Sequence, residues 1–401
     1  RNPEQYLYLL DWAPGRRAVR FMVAGYQPVG PHAGHRGYWV GEVSYPDGGL
    51  RDVAFIPAAR ASFPGDLMVT PERTHVFFRQ TPTLWRVDLD TGDVAVVAGD
   101  LPSWDGLFRL VYSPDGWRAA QLFREEGRSV VVFDLRSGER RRIRLPDEHE
   151  VIFSGWTPGG LVAVSFAGEE DLIRGEGPPW PVGSVALRFY DPGGDQVSEL
   201  LVPGGASGGR PGDRIGVWAW DSEDRTLAFT LGPVVRDPPD LSGFDRAHQE
   251  ARELWLWRGP GTSPGRLALL DGAVTELRWV DGDSAVEVWY AVPQDDSVVV
   301  QKGARVGLDG AAVPLERGIP WRDGEISVGT AGSSSIFVMR FPGGSRLVAR
   351  KAGGSESVLV EGAFRVSEPW ISGDALAFVS EPLRPDLADP DGSHLVVVFL
   401  R

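Results

Sequence analysis

Tyr112-Ser-Pro-Asp-Gly116, followed by the run Ser129-Val-Val-Val-Phe-Asp-Leu135 and then by Arg136-Ser-Gly-Glu139, decides the fold of this chain. Pro114 presets φ at a turn, Asp115 supplies the acceptor that closes it, and Gly116 takes the position with φ > 0. Phe108–Tyr112 before the turn reads as a first strand, and Arg118–Phe123 after it as a second. The third, Ser129–Leu135, is apolar at successive positions, as a strand covered on both faces should be. Past the Ser137-Gly138 hairpin turn, Arg140–Leu145 is a fourth, outer strand. Four short strands with tight turns in about forty residues make one supersecondary unit.

The first-turn signature returns at Trp12-Ala-Pro-Gly15, Val69-Thr-Pro-Glu72, Trp156-Thr-Pro-Gly159 and Trp220-Asp-Ser-Glu223. It continues, more loosely, at Trp279-Val-Asp-Gly282, Gly329-Thr-Ala-Gly332 and Trp370-Ile-Ser-Gly373. Successive spacings of 57, 43, 44, 64, 59, 50 and 41 residues each hold four strands and their turns. A second turn series runs in phase with the first, at Asp47-Gly-Gly49, Asp90-Thr-Gly92, Asp191-Pro-Gly193, Gly259–Gly265, Asp309-Gly310 and Gly353-Gly354. Together they predict an all-β chain, a single closed β-propeller domain over residues 1–401. Eight four-stranded blades are expected, near 6–57, 63–98, 107–145, 150–202, 214–270, 275–315, 324–360 and 364–401, with seven as the alternative if the sixth and seventh repeats merge. The last repeat supplies three strands, so that blade either keeps three or is completed by N-terminal residues. Trp12, Trp156, Trp220, Trp279 and Trp370 are expected to pack between blades, and any helix to fall at Phe244–Arg252.

Composition narrows the function classes. A net charge of −14 argues against a nucleic-acid partner, which needs a dense basic surface. The one basic run, Arg140–Arg142 with Arg144, reads as a solvated outer strand edge. The absence of cysteine removes disulfides and thiolate metal sites. No apolar run reaches the eighteen or so residues of a membrane helix. One asparagine, Asn2, and two lysines, Lys302 and Lys351, suit a heat-tolerant protein. The chain begins at Arg1 rather than Met, which leads to the expectation of a leader or anchor upstream.

The Tyr112-Ser-Pro-Asp-Gly116 turn with Val132-Phe-Asp-Leu135 and Ser137-Gly-Glu139 resembles the WD40-like (PD40) repeat of TolB-type propellers. Trp156-Thr-Pro-Gly159 and Trp12-Ala-Pro-Gly15 keep the proline, whereas repeats five to eight lose it. The resemblance implies a bacterial, extracytoplasmic propeller that binds other proteins. It is similar also to the gating propeller of prolyl-oligopeptidase-family peptidases, where a separate hydrolase domain follows. The repeats here run to Leu400, so a propeller without that domain is expected.

Four loops between second and third strands are long: Tyr26–Gly37, Ala167–Gly183, Gly232–Arg252 and Glu381–Ser393. Long insertions on one face of a repeat fold mark a working face. They carry His32, His35, Trp180 and His248, while inter-blade loops supply Trp104, Asp105, His149, Arg214, Trp321 and Arg322 at the channel mouth. Aromatic and charged side chains converging there suit a protein or peptide partner, with a glycan as the alternative. Asp386, Asp389 and Asp391 are weak Ca²⁺ ligands, because their spacing lacks the bidentate glutamate of a calcium loop. His32 and His35 with His248 or a carboxylate are the transition-metal alternative, but no cofactor is expected. Gly205-Ala-Ser-Gly-Gly209 and Gly261-Thr-Ser-Pro-Gly265 match the serine-hydrolase motif in the wrong context, glycine-rich turns rather than a strand–turn–helix elbow. The expected function is therefore a monomeric, non-catalytic binding scaffold outside the cytoplasm, and an enzyme or enzyme-associated propeller is the alternative.

Overall fold

The computed structural model describes all residues except 1–4, 14–15, 28–29, 45–46, 60, 62–63, 102–109, 124–127, 147–149, 169–171, 174–179, 182, 203–211, 224, 237–246, 281, 283, 294–298, 316–324, 332–333, 342–343, 352–354, 363, 373–374, 383–393 and 400–401. Blade 1 comprises β1 (Gln5–Trp12), β2 (Ala18–Tyr26), β3 (Arg36–Ser44) and β4 (Leu50–Pro57). Blade 2 follows with β5 (Gly65–Val69), β6 (His75–Gln80), β7 (Thr83–Asp88) and β8 (Val94–Ala98). Blade 3 holds β9 (Val111–Tyr112), β10 (Arg118–Phe123), β11 (Ser129–Asp134) and β12 (Arg140–Arg144). In blade 4, β13 (Glu150–Trp156) and β14 (Val162–Ala167) are separated from β17 (Ala186–Tyr190) and β18 (Gln196–Leu201) by the small pair β15 (Leu172–Ile173) and β16 (Trp180–Pro181). Blade 5 has β19 (Asp213–Trp220), β20 (Leu227–Arg236), β22 (Glu253–Trp257) and β23 (Gly265–Leu269), with β21 (Ala247–Gln249) paired to the far end of β20. Blade 6 is β24 (Ala273–Val280), β25 (Ala285–Pro293), β26 (Val299–Gly307) and β27 (Ala312–Pro314). Blade 7 is β28 (Glu325–Ala331), β29 (Ser334–Phe341), β30 (Gly344–Lys351) and β31 (Glu356–Gly362). The last sheet has three strands, β32 (Phe364–Ser372), β33 (Ala375–Pro382) and β34 (His394–Phe399).

The chain is thus an all-β propeller whose first seven sheets carry the four-strand antiparallel ladder of a blade. The eighth sheet has three strands, one of the two outcomes expected for it, and no helix occurs among the described residues. The segment expected to be helical, Phe244–Arg252, contains β21 instead. Of the first strand of blade 3, expected over Phe108–Tyr112, residues 108–109 lie outside the described ones, and Val111–Tyr112 forms β9.

Blades 1, 2, 7 and 8 belong to one compact unit and blades 3 to 6 to another. In the first unit, Tyr8, Met22, Tyr38 and Val40 of blade 1 pack on Val76, Phe78 and Val87 of blade 2. Ile336, Val338 and Leu347 meet Val366, Leu376 and Phe378 between blades 7 and 8. Leu9, Trp12 and Val19 pack on Ala377, joining blade 1 to blade 8. In the second unit, Val130 and Val132 face Val164 and Phe166, Phe189 faces Trp220 and Phe229, and Leu254 and Leu256 face Val286 and Val288. Inner strands are therefore buried on both faces, as β2 is over Ala18–Val23, whereas outer strands such as β8 alternate exposed and covered positions.

The repeated tryptophans do more than fill space. Trp156 Nε1 donates to the Val111 carbonyl of blade 3 at 2.8 Å, and Trp279 Nε1 to the Ala219 carbonyl of blade 5 at 2.9 Å. Each ties its own first strand to that of the preceding blade. Trp12 lies in the apolar contact with blade 8, and Trp220 packs edge-on to Phe189 of blade 4 at 5.2 Å. The side chain of Trp370 lies outside the described ones.

The turns between third and fourth strands share one construction. Asp134 Oδ1 accepts from the Arg136 and Ser137 amides, and Asp88 Oδ1 from the Asp90 and Thr91 amides. These bonds, above all that from Ser137, hold the Asp134 carboxyl below its ordinary value. The glycine that follows has φ > 0, +82° at Gly92 and +83° at Gly310. At both it also lies against the outer strand of the preceding blade. A Cβ on Gly92 would stand 2.2 Å from the Val53 carbonyl oxygen, and one on Gly310 2.6 Å from that of Leu267.

On the same side as these turns, a row of alternating charges closes the core between blades 1 and 2. Asp11, Arg20, Glu42 and Arg51 are direct cross-strand neighbours on β1 to β4. Arg20 Nε and Arg51 Nη1 reach Glu42 at 3.5 and 3.4 Å, and Arg16 adds a third guanidinium at 3.4 Å. From the turns of blade 2, Asp90 meets Arg20 at 3.3 Å and Arg73 meets Asp11 at 3.1 Å. Arg20 also donates to the Arg73 carbonyl. Burial pushes the Asp11 carboxyl above its ordinary range, against the pull of the Trp12 amide and of Arg73 and Arg20.

Candidate functional site

The β2–β3 connection of blade 1 belongs to the long-loop set. β2 runs to Tyr26 and β3 starts at Arg36, so the loop expected over Tyr26–Gly37 is shorter. It is closed at its base by Gln27 N–H to the His35 carbonyl at 2.8 Å and Gly34 N–H to the Gln27 carbonyl at 2.9 Å. The buried Gln27 amide turns back to the Gly25 carbonyl at 3.2 Å. Gly30, with φ +84°, lies flat on the Trp39 ring, where a Cβ would come within 2.9 Å.

That closure sets His32 over the outer strand. Its Nε2 is 3.0 Å from both Asp52 carboxylate oxygens, and its ring stacks on Phe55 at 4.2 Å with 9° between planes. Trp39 Nε1 donates to Asp52 Oδ1 at 3.0 Å. His35 meets Phe55 edge-on at 6.2 Å, and Phe21 supports Trp39 from beneath at 5.1 Å. The result is an imidazole–carboxylate pair on an aromatic shelf, with the Asp52 side chain 43% exposed. Such a surface offers stacking area and charge-assisted hydrogen bonding together.

In the other unit, the corresponding connections of blades 4 and 5 are built into β-ribbons. β15 pairs with β16, and β20 runs past its blade to pair Val234–Arg236 with Gln249–Ala247. Below them, Ser184 and Ile215 exchange backbone hydrogen bonds at 3.0 and 2.9 Å, fixing the top of β19 against blade 4. Arg214 sits at that point and donates from Nη1 to the Asp213 carbonyl at 3.0 Å.

Of the residues singled out in the sequence, His32 and His35 are thus brought together with Asp52, Trp39 and Phe55, three residues that sequence reasoning missed. Arg214 lies in the other unit. Trp180 is in β16 and His248 in β21, with side chains outside the described ones. Trp104, Asp105, His149, Trp321, Arg322, Asp386, Asp389 and Asp391 fall outside the described residues. Among the described residues no three His, Asp or Glu side chains gather as a metal-ligand set, and no helix is long and apolar enough to cross a membrane.

No protein-family model matches the chain, and no curated protein matches it in sequence. Solved structures do. Dipeptidyl peptidase 4 of Porphyromonas gingivalis is similar with a TM-score of 0.51 at 11% identity, over 90% of this chain and 56% of that one. This chain therefore spans little more than half the length of that peptidase. The β-propeller domain of the Trilobed protease from Pyrococcus furiosus is similar at 10% identity and a TM-score of 0.40, over 98% of this chain and 95% of that one. TolB from Acinetobacter baumannii gives 13% identity and a TM-score of 0.34, over 78% and 63%. At these identities the likeness is one of fold.

Proposed function

We propose that the protein is a non-catalytic binding scaffold of the TolB-type, WD40-like class, acting outside the cytoplasm and recognising a protein or peptide through its long-loop face. The observation that carries this reading is the inequality of the two faces. First-to-second and third-to-fourth turns such as those at Ser113 and Asp134 are short and capped by their own side chains. Connections between second and third strands are enlarged into the His32 loop and the two ribbons. Enlargement of these second-to-third connections supports a contact surface there, since a specific interface needs about 800 Å² per partner. The lack of cysteine and the TolB-like turns support the location.

The test is capture from the native organism by the whole chain and by a variant with the three enlarged connections cut to glycine-containing two-residue turns. Loss of the captured partner, with an unchanged β-type circular-dichroism spectrum, is the expected result. Equal retention by the shortened protein would place the working surface elsewhere. The second reading, an enzyme-associated propeller, draws support from the shared fold with dipeptidyl peptidase 4. It predicts that a hydrolase added in trans changes its peptide turnover when this protein is present, and the scaffold reading predicts no change.

A further inference from the structure

We infer that the outer edge of β34 in blade 8 is a strand-addition site for an extended segment of a partner protein, a contact surface that does not depend on the long-loop reading. β34 pairs with β33 on one side, and among the described residues no strand pairs with its other side. Its sequence is that of a middle strand. Val396-Val-Val-Phe399 repeats Val130-Val-Val-Phe133 of β11, which has ladder partners on both sides in β10 and β12. Strands that end a sheet are blunted against further pairing by charge, as β12 is by its arginines and β31 by Glu356 and Glu361. β34 carries no charge between Leu395 and Phe399. An open row of backbone N–H and C=O groups on an uncharged apolar strand is a template for one more strand.

The other blades show what that strand needs. At the seams within each unit, the fourth strand shares its core with the third strand of the blade that follows. Ala54 and Ile56 of β4 do so with Val87 of β7, and Leu200 of β18 with Trp255 and Trp257 of β22. Leu359 and Val360 of β31 reach Val396 of β34 itself. By the same construction, a fourth strand on β34 lands on β3 of blade 1. On the side of β3 turned away from blade 2 stand Trp39 and Val43. With Phe21 and Phe55 they form a cluster that holds no residue of blade 8 among those described. The His32 loop covers Trp39 and Phe55, so the partly buried Val43 is the position left to a newcomer. The occupant is therefore extended and antiparallel to β34, with apolar residues at every second position toward blade 1. Asp52, which accepts from Trp39 and is 43% exposed, and the net charge of −14 favour neutral or basic residues between them.

The probe is the peptide Lys-Val-Thr-Val-Thr-Val-Lys, added to the whole chain and followed by hydrogen exchange of the amides of residues 394–399. Roughly half of these amides, those pointing away from β33, are expected to exchange readily in the free chain and to become protected on adding the peptide. The same peptide N-methylated throughout keeps its side chains but has no ladder donors, and should protect none. Its counterpart with glutamate in place of lysine should bind about tenfold more weakly. Val43→Lys places a charge under the added strand and should also weaken the lysine peptide about tenfold, with an unchanged circular-dichroism spectrum. The exposed control Val313→Lys should bind it as wild type does. Protection of the outward amides already in the free chain, whether by its own residues or by a second copy, would overturn the assignment. So would no protection by the lysine peptide, equal protection by the N-methylated or glutamate peptide, or unchanged binding in Val43→Lys.

Discussion

Replacing Gly92 by alanine should be far more costly than replacing Gly48, although both are turn glycines between third and fourth strands. Gly48 has φ +70° and nothing within 4 Å of where a Cβ would go. Its substitution carries only the left-handed backbone penalty of about 1–2 kcal/mol, offset by about 0.4–1 kcal/mol from the stiffer unfolded chain. A net loss of about 1 kcal/mol or less follows. Gly92 has φ +82° and a Cβ position 2.2 Å from the Val53 carbonyl oxygen. That is about 1 Å inside ordinary contact, and the obstacle is backbone in a paired strand, which has no rotamer to change. Overpacking of this kind adds about 1–3 kcal/mol. The order expected in urea unfolding, followed by the emission of the chain's 15 tryptophans, is wild type, then Gly48→Ala, then Gly92→Ala well below both. Gly310→Ala, at 2.6 Å from the Leu267 oxygen, should fall beside Gly92→Ala. Gly99→Ala, with open space around it, should be neutral or slightly stabilising. If Gly92→Ala unfolds at the same urea concentration as Gly48→Ala, the blade-to-blade contact of these turns does not exist.

Three further outcomes are expected. Trp156→Phe and Trp279→Phe should each destabilise by about 1–3 kcal/mol, since each loses a hydrogen bond to the preceding blade as well as ring volume, and urea midpoints will show it. Arg20→Met leaves Glu42 to Arg16 and Arg51 and Asp11 to Arg73, and should cost about 1.5–3 kcal/mol, partly recovered in the double variant Arg20→Met/Glu42→Met. Burial holds the His75 imidazole below its ordinary value, although Asp88 at 3.5 Å pulls the other way. The unfolded chain therefore takes up that proton first as pH falls below about 6.5. The contribution to stability is present above that pH and is lost on descending toward the lowered folded value. His75→Asn should flatten this acid limb in midpoints measured at pH 7.5 and 5.5.

The blades were legible because their signals are local. Pro114, Asp134 and Gly138 act through their own backbone or through amides within a few residues, so sequence adjacency is enough to read them. The two ribbons were not legible. Val234–Arg236 finds its partner eleven or more residues later in Ala247–Gln249, and three-residue strands show no period. The aromatic shelf under His32 was missed for a related reason. Trp39, Asp52 and Phe55 lie on strands already assigned to the blade, and only the register of β3 against β4 brings them under the loop. The charged row failed differently. Asp11, Arg20 and Glu42 each look like solvent positions, and their burial follows from the turns of blade 2 closing over them.

The turn glycines settle where this molecule can be edited. Because the third-to-fourth turn of one blade rests on the outer strand of its predecessor, at Gly92 on Val53 and at Gly310 on Leu267, a residue added there has no room and displaces two blades at once. Among the described residues, the His32 loop and the β15–β16 and β20–β21 ribbons find their backbone partners within their own blade. An epitope or enzyme grafted by design therefore belongs on these connections and not on the turns at Gly92 and Gly310, which serve as the chassis.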